Sequence, residues 1–62
     1  MTQEEPTDNR TIYTAVPRGE RWVAKRYEVG APPICWGDFQ SRPAALQEAR
    51  EQAAIAGGQF LP

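Results

Sequence analysis

The sequence predicts an α+β fold: a three-stranded antiparallel sheet packed on one C-terminal helix, with room for a short fourth strand, in the order β-β-β-α-β. Three observations carry that expectation. Two runs rich in β-branched and aromatic residues, TIYTAVP (11–17) and RWVAKRYEV (21–29), are separated only by RGE, close enough for an antiparallel hairpin. A further extended run, ICWGDFQ (34–40), follows a loop. Beyond it, PAALQEAREQAAIA (43–56) is the strongest helix signal, rich in alanine and other good helix formers.

Each element has a local reason. Residues 1–10 hold no apolar side chain after Met1, so a disordered acidic tail is expected ahead of a single small domain over 11–62. Pro17 ends the first strand, because proline cannot donate to a central ladder, and RGE turns the chain. GAPP (30–33) sets one flexible glycine beside two rigid prolines, which marks a loop. Gly37, inside the third run, signals a bulge or a close approach by another backbone. Ser41 is a suitable N-cap, and Pro43 is tolerated in the first turn, where the N–H it lacks would be unpaired. Gly57 and Gly58 end the helix, and QFLP (59–62) fits a short closing strand.

Composition removes several function classes. A domain of this size buries only about 60% of the surface its unfolded chain exposes, so its stability is modest. Cys35 is the only cysteine and histidine is absent, which rules out an intramolecular disulfide and removes the usual ligands of a zinc site. No cofactor is expected. No run approaches the roughly 20 apolar residues of a membrane span. The start MTQEEPTDNR lacks the basic and apolar regions of a signal peptide, so a soluble cytoplasmic protein is expected.

The formal charge of −1 is unevenly laid out. Residues 1–9 carry Glu4, Glu5 and Asp8, whereas 10–27 carry Arg10, Arg18, Arg21, Lys25 and Arg26 against Glu20 alone. The remainder, with Arg42 and Arg50 against four carboxylates, is acidic again. The overall balance is unlike that of a dedicated duplex binder, which relies on excess Lys and Arg.

The helix presents Ala45, Leu46, Ala49, Ala53 and Ala56 as a nearly all-alanine stripe. Small side chains allow close approach to a sheet, so bulk must come from the strands, with Trp22 and Phe39 as the expected suppliers. Strand alternation then places Ala24 and Arg26 with Trp22, Arg26 at the sheet margin with its stem over the core, and Cys35 and Gly37 with Phe39. The other face would carry Val23, Lys25, Tyr27, Ile34, Trp36 and Asp38. From the first strand, either Tyr13 and Ala15 or Ile12, Thr14 and Val16 join it. One helix covers one face of a small sheet, so Tyr27, Trp36 and Val23 beside Lys25, joined by Tyr13 where its set points outward, would form an uncovered patch of the kind that marks an interface. A bulge at Gly37 would reverse this register, burying Trp36 and exposing Phe39.

The stretches YTAVPRGERWVAKR, FQSRPAALQEAREQA and GGQF together resemble a bacterial family of short proteins classed as a domain of unknown function. That family shows a strand ending in Val-Pro, a Gly-Trp-x-Val-Lys strand, an alanine-rich helix and a Gly-Gly-Glu turn. The likeness covers about residues 13–60. Val23 and Ala24 depart from the family's usual Ala-then-Val, and Pro62 stands where the family usually continues its last strand. The resemblance implies β-β-β-α-β order and brings no assigned catalytic residues to carry over.

Enzyme chemistry finds little support in the residues. Cys35 has no histidine to act as base and no second cysteine, and is expected to be a small core residue. Glu48 and Glu51 read as a solvated helix face rather than a paired acid and base. The sequence therefore predicts a non-enzymatic protein-interaction module, an accessory or inhibitor of bacterial or phage type. Its partner-binding residues would be Trp36, Tyr27, Lys25, Val23 and Tyr13 with Arg21 and Arg26 at the rim, since Trp, Tyr and Arg dominate hot spots. The alternatives are nucleic-acid binding, with Tyr27 and Trp36 stacking on bases, and self-association as a homodimer.

Overall fold

The computed structural model describes residues 8–62, which follow the expected order. Strands β1 (Asp8–Arg18), β2 (Arg21–Glu28) and β3 (Ala31–Phe39) precede helix α1 (Arg42–Ala56) and strand β4 (Gly58–Phe60). The sheet is mixed, in the order β3-β2-β1-β4. The first three strands form an antiparallel meander, and β4 pairs parallel to β1. Helix α1 therefore carries the chain from one sheet edge to the other, across β2 and β1.

The first strand begins earlier than its composition suggests. Asp8 pairs with Gly58, and the Arg10 carbonyl accepts a hydrogen bond from the Val29 N–H at 3.1 Å. A backbone ladder needs no apolar side chain, so residues 8–10 belong to the sheet rather than to an acidic tail. Residues 1–7 of that expected tail lie outside the described residues. Pro32 and Pro33 likewise belong to β3 rather than to a loop. An edge strand tolerates proline where the missing N–H would face away from the sheet, and the pairing with β2 shifts register between Arg26–Ile34 and Glu28–Ala31 to accommodate them.

The alanine stripe sets the core. Ala45, Ala49 and Ala53 are buried, and the last two form a cluster with Ala24 and Tyr13, against which Trp36, Phe39 and Phe60 pack. Bulk thus comes from four aromatic rings on four positions of β1, β3 and β4. Trp22, the expected anchor, is only half-buried, paired with Phe39 and outside the cluster. Close approach matters at β4 too, where a Cβ on Gly58 would stand 2.7 Å from Tyr13 Cε1 and 3.1 Å from the Thr11 carbonyl oxygen. Ser41 caps the helix, its hydroxyl accepting from the Ala44 N–H at 3.4 Å, and the helix stops at Gly57, whose N–H bonds the Ala53 carbonyl.

One bulge decides which side chains the helix meets. Trp22 pairs with Phe39 and Ala24 with Trp36, so a two-residue step on β2 faces a three-residue step on β3. The extra residue is absorbed at Gly37, whose φ of 86° lies in the left-handed region where only glycine is at ease. Such an insertion resets the alternation between residues 36 and 39. Trp36 therefore turns to the helix while Phe39 stays there. The expectation that simple alternation separates them, and its variant in which Phe39 becomes exposed, are both corrected by this geometry.

Candidate interaction face

The helix leaves one face of the sheet open, and the β1–β2 hairpin builds most of it. Tyr13 is buried against the helix, so Ile12, Thr14 and Val16 fall on the opposite side. Their cross-strand partners are Tyr27, Lys25 and Val23, and Arg18 faces Arg21 at the hairpin end. From β3, Cys35 pairs with Lys25, and the Asp38 Oδ1 accepts from the Arg21 Nε–H at 2.8 Å. These pairs form a ladder in which the apolar rungs Ile12–Tyr27 and Val16–Val23 are separated by Thr14–Lys25, with the cationic rung Arg18–Arg21 at the hairpin end.

The seven expected contact residues divide between the two faces. Tyr27, Lys25, Val23 and Arg21 share the open one. Val23 is only 3% exposed and forms the floor, whereas Tyr27 is 40% exposed. Lys25 Nζ lies 4.8 Å from the Tyr27 ring centroid, a cation–π arrangement that holds both on the same surface.

Tyr13 and Trp36 are not on that face, because both belong to the core, edge to face with centroids 6.3 Å apart. The Trp36 indole N–H donates to Glu48 Oε2 on the helix at 3.0 Å. Arg26 also sits on the helix side and at the margin, pairing with Glu28 at 3.2 Å, with its Nε buried and lacking a hydrogen-bond partner. Ile34 pairs with Arg26 on this side and is exposed, and is thus absent from the open face.

Cys35 reverses the other way. It is exposed on the open side rather than buried with Phe39, because residues before the bulge have the parity opposite to those after it. Of the two sets that strand one could turn outward, Ile12, Thr14 and Val16 form the face, and Arg18, expected in the turn, extends the strand and joins them. A signal was available: an alanine-striped helix needs bulk, and Tyr13 is the bulkiest residue of its strand.

Elsewhere a groove of about 470 Å³ runs between α1 and β4, lined by Pro43, Leu46, Arg50, Glu51 and Phe60, with Arg50 stacked 5.4 Å from the Phe60 centroid. It brings together no nucleophile and base. Among the described residues, no three His, Cys, Asp or Glu side chains converge on a possible metal position. No helix of the described residues is long and apolar enough to cross a membrane. Compared with family models, curated proteins and solved structures, the chain matches none.

Proposed function

We propose that the protein is a non-enzymatic interaction module that docks a partner protein on the open face of its sheet. One observation carries the reading. The helix occupies a single face, and the other presents Tyr27 and Lys25, stacked together, over a floor of Ile12, Val16 and Val23. An aromatic ring with a basic neighbour above an apolar floor is the composition of an interface hot spot.

Immobilised protein incubated with nuclease-treated host lysate tests it. A specific protein is expected to be retained, and the double variant Tyr27→Ala/Lys25→Ala to release it, while Ile55→Ala on the exposed helix surface leaves capture intact. Retention by the double variant at the level of the parent would defeat the reading.

A second reading, nucleic-acid binding through the same face, draws support from Arg18, Arg21 and Lys25, which share it. It loses support from Trp36, whose ring is turned to the helix and leaves Tyr27 as the face's one stacking surface. A fluorescent oligonucleotide whose affinity falls steeply with salt would favour it.

Homodimer formation through the sheet edges has less support. Pro32, Pro33 and the Gly37 bulge interrupt β3, and β4 is only three residues long with Pro62 just beyond it. Sedimentation of a monomer at high concentration is expected.

A further inference from the structure

We infer that the partner surface received by the open face is acidic, a protein segment or patch with clustered Asp and Glu carboxylates; the inference rests on the docking reading above. The chain as a whole is acidic, with formal charge −1, yet its open face is not. By register Arg18, Arg21 and Lys25 lie there, with Asp38 as the carboxylate among the described side chains of the strands, while Glu28 and Glu48 engage Arg26 and Trp36 on the helix side. The open face is net basic, whereas the described charges on the helix and its side of the sheet, Arg26, Arg42 and Arg50 against Glu28, Glu48 and Glu51, balance.

The arrangement within the face points the same way. Arg18 and Arg21 stand directly opposite each other, a like-charged cross-strand pair that is unfavourable unless an anion joins it. Asp38 answers Arg21 alone, at 2.8 Å. Arg18 and Lys25 have no carboxylate within ion-pair distance among the described residues, Glu20 in the adjoining turn included. The hairpin end and Lys25 are four residues apart along β2, about 13 Å at strand rise, so a complementary partner spaces its carboxylates over that span.

Charge also discriminates among occupants. A second copy would bring the same cations to the same face, and repulsion opposes that contact. A nucleic acid would satisfy the cations but would find a single aromatic ring for its bases. An acidic protein surface satisfies the cations and also meets the apolar floor.

Amide chemical shifts of the isotope-labelled protein, titrated with poly-L-glutamate at low salt, test the inference. Perturbations are expected at Arg18, Arg21, Lys25 and Tyr27. Arg18→Gln/Lys25→Gln should weaken binding about three- to tenfold, as loss of two exposed ion pairs implies, while Arg42→Gln on the helix leaves it unchanged. No perturbation at low salt, perturbations centred on α1, or tighter binding to oligothymidylate would overturn it. Retention of a lysate protein that depends on Tyr27 but not on Arg18 and Lys25 would overturn this inference while leaving the docking reading intact. Independence from Tyr27 as well would remove both.

Discussion

The indole N–H of Trp36 on edge strand β3 reaches Glu48 Oε2 on helix α1 at 3.0 Å, and Gln52 Nε2 donates to the same oxygen at 3.4 Å. The sheet edge is thereby tied to a helix that otherwise lies mainly over β1. Trp36→Phe keeps an aromatic ring beside Tyr13 but loses the second ring of the indole, and it leaves a half-buried carboxylate oxygen with one donor fewer. A loss of about 2 kcal/mol is expected, from the hydrogen bond to a charged group that water still reaches together with the smaller ring. Urea denaturation measures it. Trp36→Ala removes the ring as well and is expected to lose about 3 kcal/mol, a large part of the stability of so small a domain. Loss of partner binding in Trp36→Ala would therefore report on folding.

Gly37 and Gly30 share a φ of 86° but differ in surroundings. A Cβ at Gly37 would stand 2.8 Å from Cζ of the Phe39 ring, whereas one at Gly30 meets nothing within 4 Å. Gly30→Ala is expected to cost about 1 kcal/mol from left-handed backbone strain alone. Gly37→Ala carries the same strain and must also move a core ring, so its cost should exceed that of Gly30→Ala by about 1 kcal/mol or more. Thermal unfolding of the two variants side by side checks the difference; equal losses would mean that the ring gives way freely.

Those two glycines also mark where the sequence was legible and where it was not. Element order followed from β-branched runs, turn residues and the alanine helix, because each depends on local chain preference. Gly37 announced a bulge, but a glycine in a strand does not say how many residues its partner strand will match. That count, two against three, decides whether Trp36 and Cys35 look inward or outward. Trp36 therefore leaves the expected contact set, and Cys35 enters the open face. Tyr13 is a different case: its strand alternates without interruption against β2, so either set could face the helix, and only the packing demand of Ala49 and Ala53 chooses the inward one.

Ala49 is expected to resist enlargement. It is fully buried beneath the sheet, in the cluster with Ala24 and Tyr13, and close contact between two alanines on facing elements leaves no room for more atoms. Ala49→Leu should destabilise by about 2 kcal/mol through overpacking. Ala54→Leu, exposed on the other side of the same helix, should change stability by less than about 0.5 kcal/mol. Urea midpoints for the pair separate packing from helix propensity, since leucine is nearly as good a helix former as alanine.

The Arg21–Asp38 pair joins β2 to β3 on the open face, with side chains 45% and 72% exposed. Screening by water and salt at such a site keeps its value low, so Asp38→Asn is expected to cost under about 0.5 kcal/mol at low salt and nothing measurable in high salt. The same substitution also frees the face of its internal carboxylate. If Arg18, Arg21 and Lys25 together receive an acidic partner, Asp38→Asn should then tighten binding of poly-L-glutamate about two- to threefold while leaving the fold unchanged. Opposite movement of the two quantities, stability slightly down and polyanion affinity up, distinguishes a competing internal carboxylate from one that orients Arg21 for its partner. In the orienting case the affinity falls.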